Sequence, residues 1–243
     1  MKIDLFAICY NEEIMLPYFL RHYSNFCNNI TIYDNMSTDS SREIMKKYGV
    51  NVIEHNTNSE SVESQRIKIR NNCWKKSDAD WVIVCDVDEF VYHRNMLRIL
   101  KLTKATRIQT KGYEMVSEKL PTTNGQIYDE IKYGTFKESY SKPCLFKPGD
   151  IIDINFGPGS HPGTSKNATG NVISIKDSGI KLLHYKYINR DVLIEKYAHY
   201  AKRLSRESIR KGYGDHRKWG PKILNRHFDD LLKTSKNVID NDY

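Results

Sequence analysis

Apolar positions over residues 1–90 fall into short runs, each followed by a stretch with helical spacing. Ile3 to Cys9 is an apolar run, and Asn11 to Phe26 then places Leu16, Phe19, Leu20 and Tyr23 on one face. That pattern predicts a strand feeding a helix, with Pro17 tolerated in the helix's first turn. Ile30 to Tyr33 predicts a second strand. Ser40 and Glu43 have capping-box spacing for a helix that stops at Gly49. Asn51 to Glu54 reads as a third strand, residues 62–75 as a helix, and Trp81 to Cys85 as a fourth strand. Short strands alternating with helices imply βαβ units in a parallel sheet with right-handed crossovers.

The pattern changes after Glu89. Residues 93–102 suit a short helix, Arg107 to Thr110 and Glu114 to Val116 suit strands, and Pro121 to Gly125 a turn. Periodicity says little about residues 126–180, apart from a brief strand within Pro143 to Pro148 and a loop at Gly157 to Gly163, which holds three glycines and two prolines. Ile180 to Tyr187 predicts a strand. Arg190 to Arg210 predicts an amphipathic helix with Leu193, Tyr197, Tyr200 and Leu204 on one side. The polar and aromatic residues 214–243 are expected to be partly disordered, and no internal repeat or low-complexity tract is present.

The run Trp81 to Cys85 ends in Asp86, Asp88 and Glu89. Open α/β sheets bind ligands at the carboxyl ends of their strands, and hard divalent cations take carboxylate oxygens while sharing other positions with substrate phosphate. Three acids at such a place suit Mg²⁺ or Mn²⁺; the bland alternative is a solvated acidic turn. The first two strands end in a second polar set: Tyr10, Asn11, Glu12 and Glu13, then Asp34, Asn35, Ser37, Thr38 and Asp39. A parallel sheet puts these ends on the edge that carries Asp86. Asp34 is expected to accept from a base or ribose and Asn11 to fix the base edge, whereas Ser37, Thr38 and Asp39 read better as turn and cap residues.

Lysine and arginine number 38 against 30 acids, a net charge of +8, which favours anionic partners without choosing among nucleotide diphosphates, nucleic acid and acidic lipid. The five cysteines are dispersed and lack a Cys-x-x-Cys pair, so neither zinc nor a disulfide framework is indicated. No stretch approaches the ~20 apolar residues that span a bilayer. The expectation is a soluble, cytoplasmic protein with room for peripheral membrane contact.

Cys-Tyr-Asn-Glu-Glu at 9–13, Tyr-Asp-Asn-Met-Ser-Thr-Asp-Ser-Ser at 33–41 and Cys-Asp-Val-Asp-Glu-Phe at 85–90 resemble, in order and spacing, the successive motifs of family 2 glycosyltransferases with the GT-A fold. Shorter segments, Tyr-Ser-Lys-Pro-Cys-Leu-Phe-Lys-Pro at 140–148, Gly-Ser-His-Pro at 159–162 and Leu-Leu-His-Tyr-Lys-Tyr at 182–187, resemble the subgroup whose metal motif reads Asp-x-Asp-Glu-Phe. The resemblance implies an α/β, Rossmann-like, mostly parallel mixed sheet flanked by helices. It implies a GT-A domain over residues 1–188, with a nucleotide-binding half at 1–90 and an acceptor half at 91–188, followed by a helical extension at 189–243.

It further implies metal-dependent, inverting transfer of a sugar from a UDP- or dTDP-sugar to a glycan or glycoconjugate, as in surface polysaccharide synthesis. Asp88 and Asp86 form the metal motif with Mn²⁺ or Mg²⁺, and His184 matches the histidine that completes the metal shell in such enzymes; His161 is a weaker candidate. Cys9, Tyr10, Asn11, Glu12, Asp34, Arg66, Asp86 and Lys186 are implied donor contacts, and Arg70 lies one helical turn from Arg66. An exposed basic helix explains the two arginines equally well. An inverting transferase also needs a carboxylate base at the acceptor hydroxyl. The Glu-Asp pair that supplies it in the family has no clear counterpart; Glu114, Asp129 and Glu89 are the candidates, with Glu130 a rival and Glu89 alternatively a support for the metal.

Two other classes fit less well. A sugar nucleotidyltransferase would carry a glycine-rich N-terminal phosphate loop, and residues 7–14 hold no glycine. A basic nucleic-acid- or membrane-surface-binding module is suggested by charge and by the basic aromatic stretch 190–219, without a recognised nucleic-acid motif.

Overall fold

The computed structural model describes residues 1–58, 61–122, 124–160 and 168–240. The amino-terminal part runs β1 (Ile3–Cys9), α1 (Leu16–Tyr23), β2 (Asn29–Asp34), α2 (Ser41–Lys47), β3 (Asn51–Glu54), α3 (Glu63–Asn72), β4 (Trp81–Asp86) and β5 (Glu89–Tyr92). The middle holds α4 (Met96–Leu102), β6 (Arg107–Ile108), β7 (Lys111–Ser117), α5 (Ile127–Glu130), β8 (Tyr133–Phe136), β9 (Leu145–Phe146), β10 (Ile151–Asp153), β11 (Thr169–Gly170) and β12 (Ser174–Ile175). The chain then forms β13 (Lys181–Ile188), α6 (Arg190–Arg203), α7 (Arg206–Arg210), α8 (Pro221–Thr234) and β14 (Lys236–Asn237).

The larger sheet has the order β12-β6-β9-β4-β1-β2-β3. β1 lies parallel to both β2 and β4, and β2 parallel to β3, while β9 runs antiparallel to β4 and β6. The expected mixed, mostly parallel α/β architecture is therefore present. β4 alternates between two cores: Trp81, Ile83 and Cys85 enter one cluster, and Val82 and Val84 the other. That two-sided burial is why its sequence is continuously apolar.

A second sheet, ordered β14-β8-β7-β13-β5, begins where the first ends. Only Val87 and Asp88 separate β4 from β5, so the acidic motif sits at the passage between sheets. β13 pairs parallel with β7 and antiparallel with β5, which sets His184 opposite both Glu114 and Glu89. Gly112 on β7 lets the main chain at Tyr140 pass close; a Cβ there would collide with Tyr140.

Several local expectations are corrected. The Ser40–Glu43 capping box does not form, because the Asp39 carboxylate accepts from Ser41 N at 3.0 Å and Glu13 accepts from Ser40 N at 3.0 Å. A capping box forms instead at Gln126 and Asp129. The helix expected over 190–210 is broken at Leu204, since Ser205 turns extended and accepts from Ser208 N at 3.1 Å to start α7. Residues 221–234, expected to be partly disordered, form α8. Its Leu224, Phe228 and Leu231 bury one face against Val116, Tyr187, Leu193 and Tyr197.

Candidate functional site

The strand ends, α6, α8 and the segment around Tyr140 enclose a cavity of ≈ 680 Å³. Cys9, Tyr10, Glu12, Arg66, Asp86, Asp88, Glu89, Glu114, His184 and Lys186 line it, so most residues singled out in the sequence converge there. Their charges are almost all paired.

Asp88 Oδ2 lies 3.6 Å from His184 Nε2 and 3.8 Å from Lys196 Nζ. Burial opposes its ionised form, but His184 and Lys196 outweigh that and hold the carboxyl far below the usual carboxylate range. His184 Nδ1 faces Glu114 Oε1 at 2.8 Å, and the Tyr140 ring packs 4.7 Å from the imidazole. Burial opposes the imidazolium, yet Glu114 and Asp88 together push the His184 pKa up to about 10. Asp88, His184 and Glu114 thus form one line of alternating charge along the cavity wall.

Asp86 points elsewhere. Its Oδ1 accepts from Arg70 Nη2 at 2.7 Å, with Arg66 Nη2 at 3.8 Å. Against the cost of burial, Arg70, then Arg66 and Lys142, keep it strongly acidic. Arg70 is buried and also binds Glu63 Oε1 at 3.1 Å, so this guanidinium is structural and only Arg66 of the pair reaches the cavity. Glu89 is wholly buried: one oxygen is ion-paired with the buried Lys142 and the other accepts from Asp86 N at 3.1 Å. A carboxylate tied on both oxygens supports the strand end and is not available as a base.

Glu12 accepts from Lys196 at 2.6 Å and from Tyr200 Oη at 3.3 Å. Burial pushes its carboxyl up to about 7, although Lys196 pulls the other way. Lys186 Nζ lies over the rings of Tyr197 and Tyr187, at 4.9 and 5.6 Å from their centroids, and Arg203 stacks on Tyr10 at 3.1 Å.

Three expected contacts are absent from the cavity wall. Asp34 is buried, but its carboxylate accepts from Ser37 N at 3.2 Å, Ser37 Oγ at 2.5 Å and Arg42 Nε at 2.7 Å. It builds the loop after β2. Asn11, at φ 51°, binds Ser37 and Thr38 and stitches the first two loops together. The Asp129 carboxylate caps α5 by accepting from Gln126 N at 3.0 Å. His161 lies outside the described residues.

Sequence reading missed Lys196, Lys142, Tyr140, Arg203 and a wall formed by His216, Trp219, His227, Asp230, Leu231 and Thr234. The Leu224, Phe228 and Leu231 spacing was the available signal for that wall. Among the described residues no group of three or more His, Cys, Asp or Glu side chains is arranged to hold a metal ion, and no helix is long and apolar enough to cross a membrane.

The model of Glycosyl transferase family 2 matches residues 4–138. No curated protein matches the chain. Among solved structures, S. aureus TarS 1-349 in complex with UDP is similar over 96% of this chain and 71% of that chain, at 14% identity and a TM-score of 0.50, a likeness of fold. The crystal structure of S. aureus TarS matches over 61% of this chain at 18% identity and a TM-score of 0.42, and this chain spans 29% of that one. Glucosyl-3-phosphoglycerate synthase from Mycobacterium tuberculosis, in complex with Mn²⁺, UDP and glucosyl-3-phosphoglycerate, covers 46% of this chain and 44% of its own, at 14% identity and a TM-score of 0.34.

Proposed function

Because the chain belongs to glycosyl transferase family 2, we propose that its cavity takes a UDP- or dTDP-sugar with a divalent cation and transfers the sugar, with inversion, to a glycan or glycoconjugate. The observation that carries this reading is the Asp88–His184–Glu114 line. A carboxylate oxygen and an imidazole Nε2 lie 3.6 Å apart on the cavity wall, and the other imidazole nitrogen lies 2.8 Å from a second carboxylate. That donor set would fit Mn²⁺ or Mg²⁺ with the proton displaced from His184 Nε2, because a ligating histidine is normally oriented through its far nitrogen and these ions leave positions for substrate phosphate. Asp88 and His184 would hold the ion. When bound, it would offset the charge of the departing diphosphate.

The residues of the chain do the rest. Asp86, fixed by Arg70 and by the Glu89 contact to its main chain, stands beside the ion site without competing for it. Arg66 and Lys186, both on the wall, are assigned to the diphosphate, and Tyr10, Glu12 and the Cys9 main chain to the nucleoside. Glu114, sequence candidate for the base, is assigned to orienting His184. The unit over residues 1–188 and the extension over 189–243 share one site in this reading, since Lys196 of α6 touches Glu12 and lies within 4 Å of Asp88.

Isothermal titration with UDP, with and without Mn²⁺, tests the proposal. UDP binding that requires Mn²⁺, and is lost in Asp88→Ala, is the expected result; absent or metal-independent UDP binding sinks it.

A further inference from the structure

α8 turns His227, Asp230, Leu231 and Thr234 toward the cavity, positions three, four and seven residues apart that share one helix face. Leu231 is packed in the core, and Thr234 Oγ1 is held between Thr135 Oγ1 at 3.0 Å and Asp230 O at 2.8 Å, so the face is rigid. Trp219, just before α8, stacks on His227 with ring centroids 4.5 Å apart and planes within 4°. The other two indoles, Trp74 and Trp81, are buried, whereas Trp219 is half-buried at the cavity wall.

Among the described residues, six carboxylate residues line the cavity. Asp86 is bound by Arg70, Asp88 and Glu114 by His184, Glu89 by Lys142 and Glu12 by Lys196. The carboxylate of Asp230 is exposed and has no hydrogen bond or ion pair among the described residues. A flat aromatic pair beside an unengaged carboxylate and a hydroxyl is a surface that suits a sugar ring: its C–H face lies on the rings and its hydroxyls meet the polar groups.

We propose that this face of α8 is the acceptor subsite, that it binds a pyranose ring against the Trp219–His227 pair, and that Asp230 is the catalytic base. The inference rests on the donor reading above. In the transfer, the acceptor oxygen forms a bond to the anomeric carbon and Asp230 takes the proton of the attacking hydroxyl. The bond from the anomeric carbon to the diphosphate oxygen breaks, and its electron pair leaves with the nucleoside diphosphate. Asp230 was invisible to a search for a base near the metal motif because it enters from the far end of the chain.

Saturation-transfer NMR on the full chain with UDP and Mn²⁺ tests the subsite, with methyl β-glucopyranoside and methyl N-acetyl-β-glucosaminide as probes. Saturable transfer to the ring protons of at least one probe is expected, weakened about tenfold in Trp219→Ala and His227→Ala while UDP affinity by calorimetry is unchanged. Wild-type protein that binds UDP but neither probe, or variants that bind the probe as well as wild type, overturns the subsite. Loss of UDP binding by the wild type overturns the donor reading instead. For the base, UDP release from UDP-glucose or UDP-N-acetylglucosamine is measured with and without the bound probe. Asp230→Asn is expected to lower the probe-stimulated kcat by about 100-fold or more, with the probe's KM within about twofold. Unchanged kcat in the variant, or no probe stimulation in the wild type, overturns the assignment of Asp230.

Discussion

Lys142→Met offers a sharp test of how the acidic end of β4 is held. The ammonium of Lys142 and the carboxylate of Glu89 pair in the interior, both almost completely removed from solvent, and the second Glu89 oxygen accepts from Asp86 N. Methionine keeps most of the stem volume and removes the charge, leaving Glu89 buried without its cation. Breaking a buried pair from one side costs about 3–5 kcal/mol.

The variant's deficit against wild type should therefore be about 3 kcal/mol or more at pH 7. Adding Glu89→Gln to Lys142→Met removes the buried charge and should recover most of the loss. Urea unfolding of the three proteins at pH 7 measures these differences. A single-variant deficit under about 1 kcal/mol at pH 7 would refute the claim that an interior ion pair holds this strand end.

Two further outcomes are expected. His22 is buried, with Nε2 3.1 Å from Val91 O, and burial lowers its pKa to about 4. The unfolded chain then binds a proton that the folded one refuses, so stability should fall as pH drops from about 6.5 toward 4, by about 2 kcal/mol at pH 5, and His22→Gln should flatten that slope in urea titrations. Asp88→Ala should abolish transfer and leave the far-UV circular dichroism unchanged; a variant with full activity removes Asp88 from the mechanism.

How much of this was legible in the chain depended on distance along it. Within residues 1–90 each strand and helix carries its own apolar pattern, and each polar strand end follows directly from it, so the parallel sheet and the positions of Asp86, Asp88 and Glu12 could be read locally. His184 and Glu114 could be named because each lies on a strand with a recognisable run. The strands β10 to β12 could not, since two- or three-residue pairings show no period. α8 carried apolar spacing at Leu224, Phe228 and Leu231, but eight polar or charged residues in Lys222–Thr234 masked it.

The sequence by itself determined the element order up to β4, the acidic turn that follows it and the family motifs, because these depend on neighbours a few residues apart. Only the tertiary structure decided which carboxylates are spent. Asp34 is consumed by Ser37 and Arg42, Glu89 by Lys142 and Glu12 by Lys196, while Glu114 is turned to His184. A carboxylate's role is set by the partner within about 4 Å. For Glu12 that partner is 184 residues away, a distance over which no local pattern carries information.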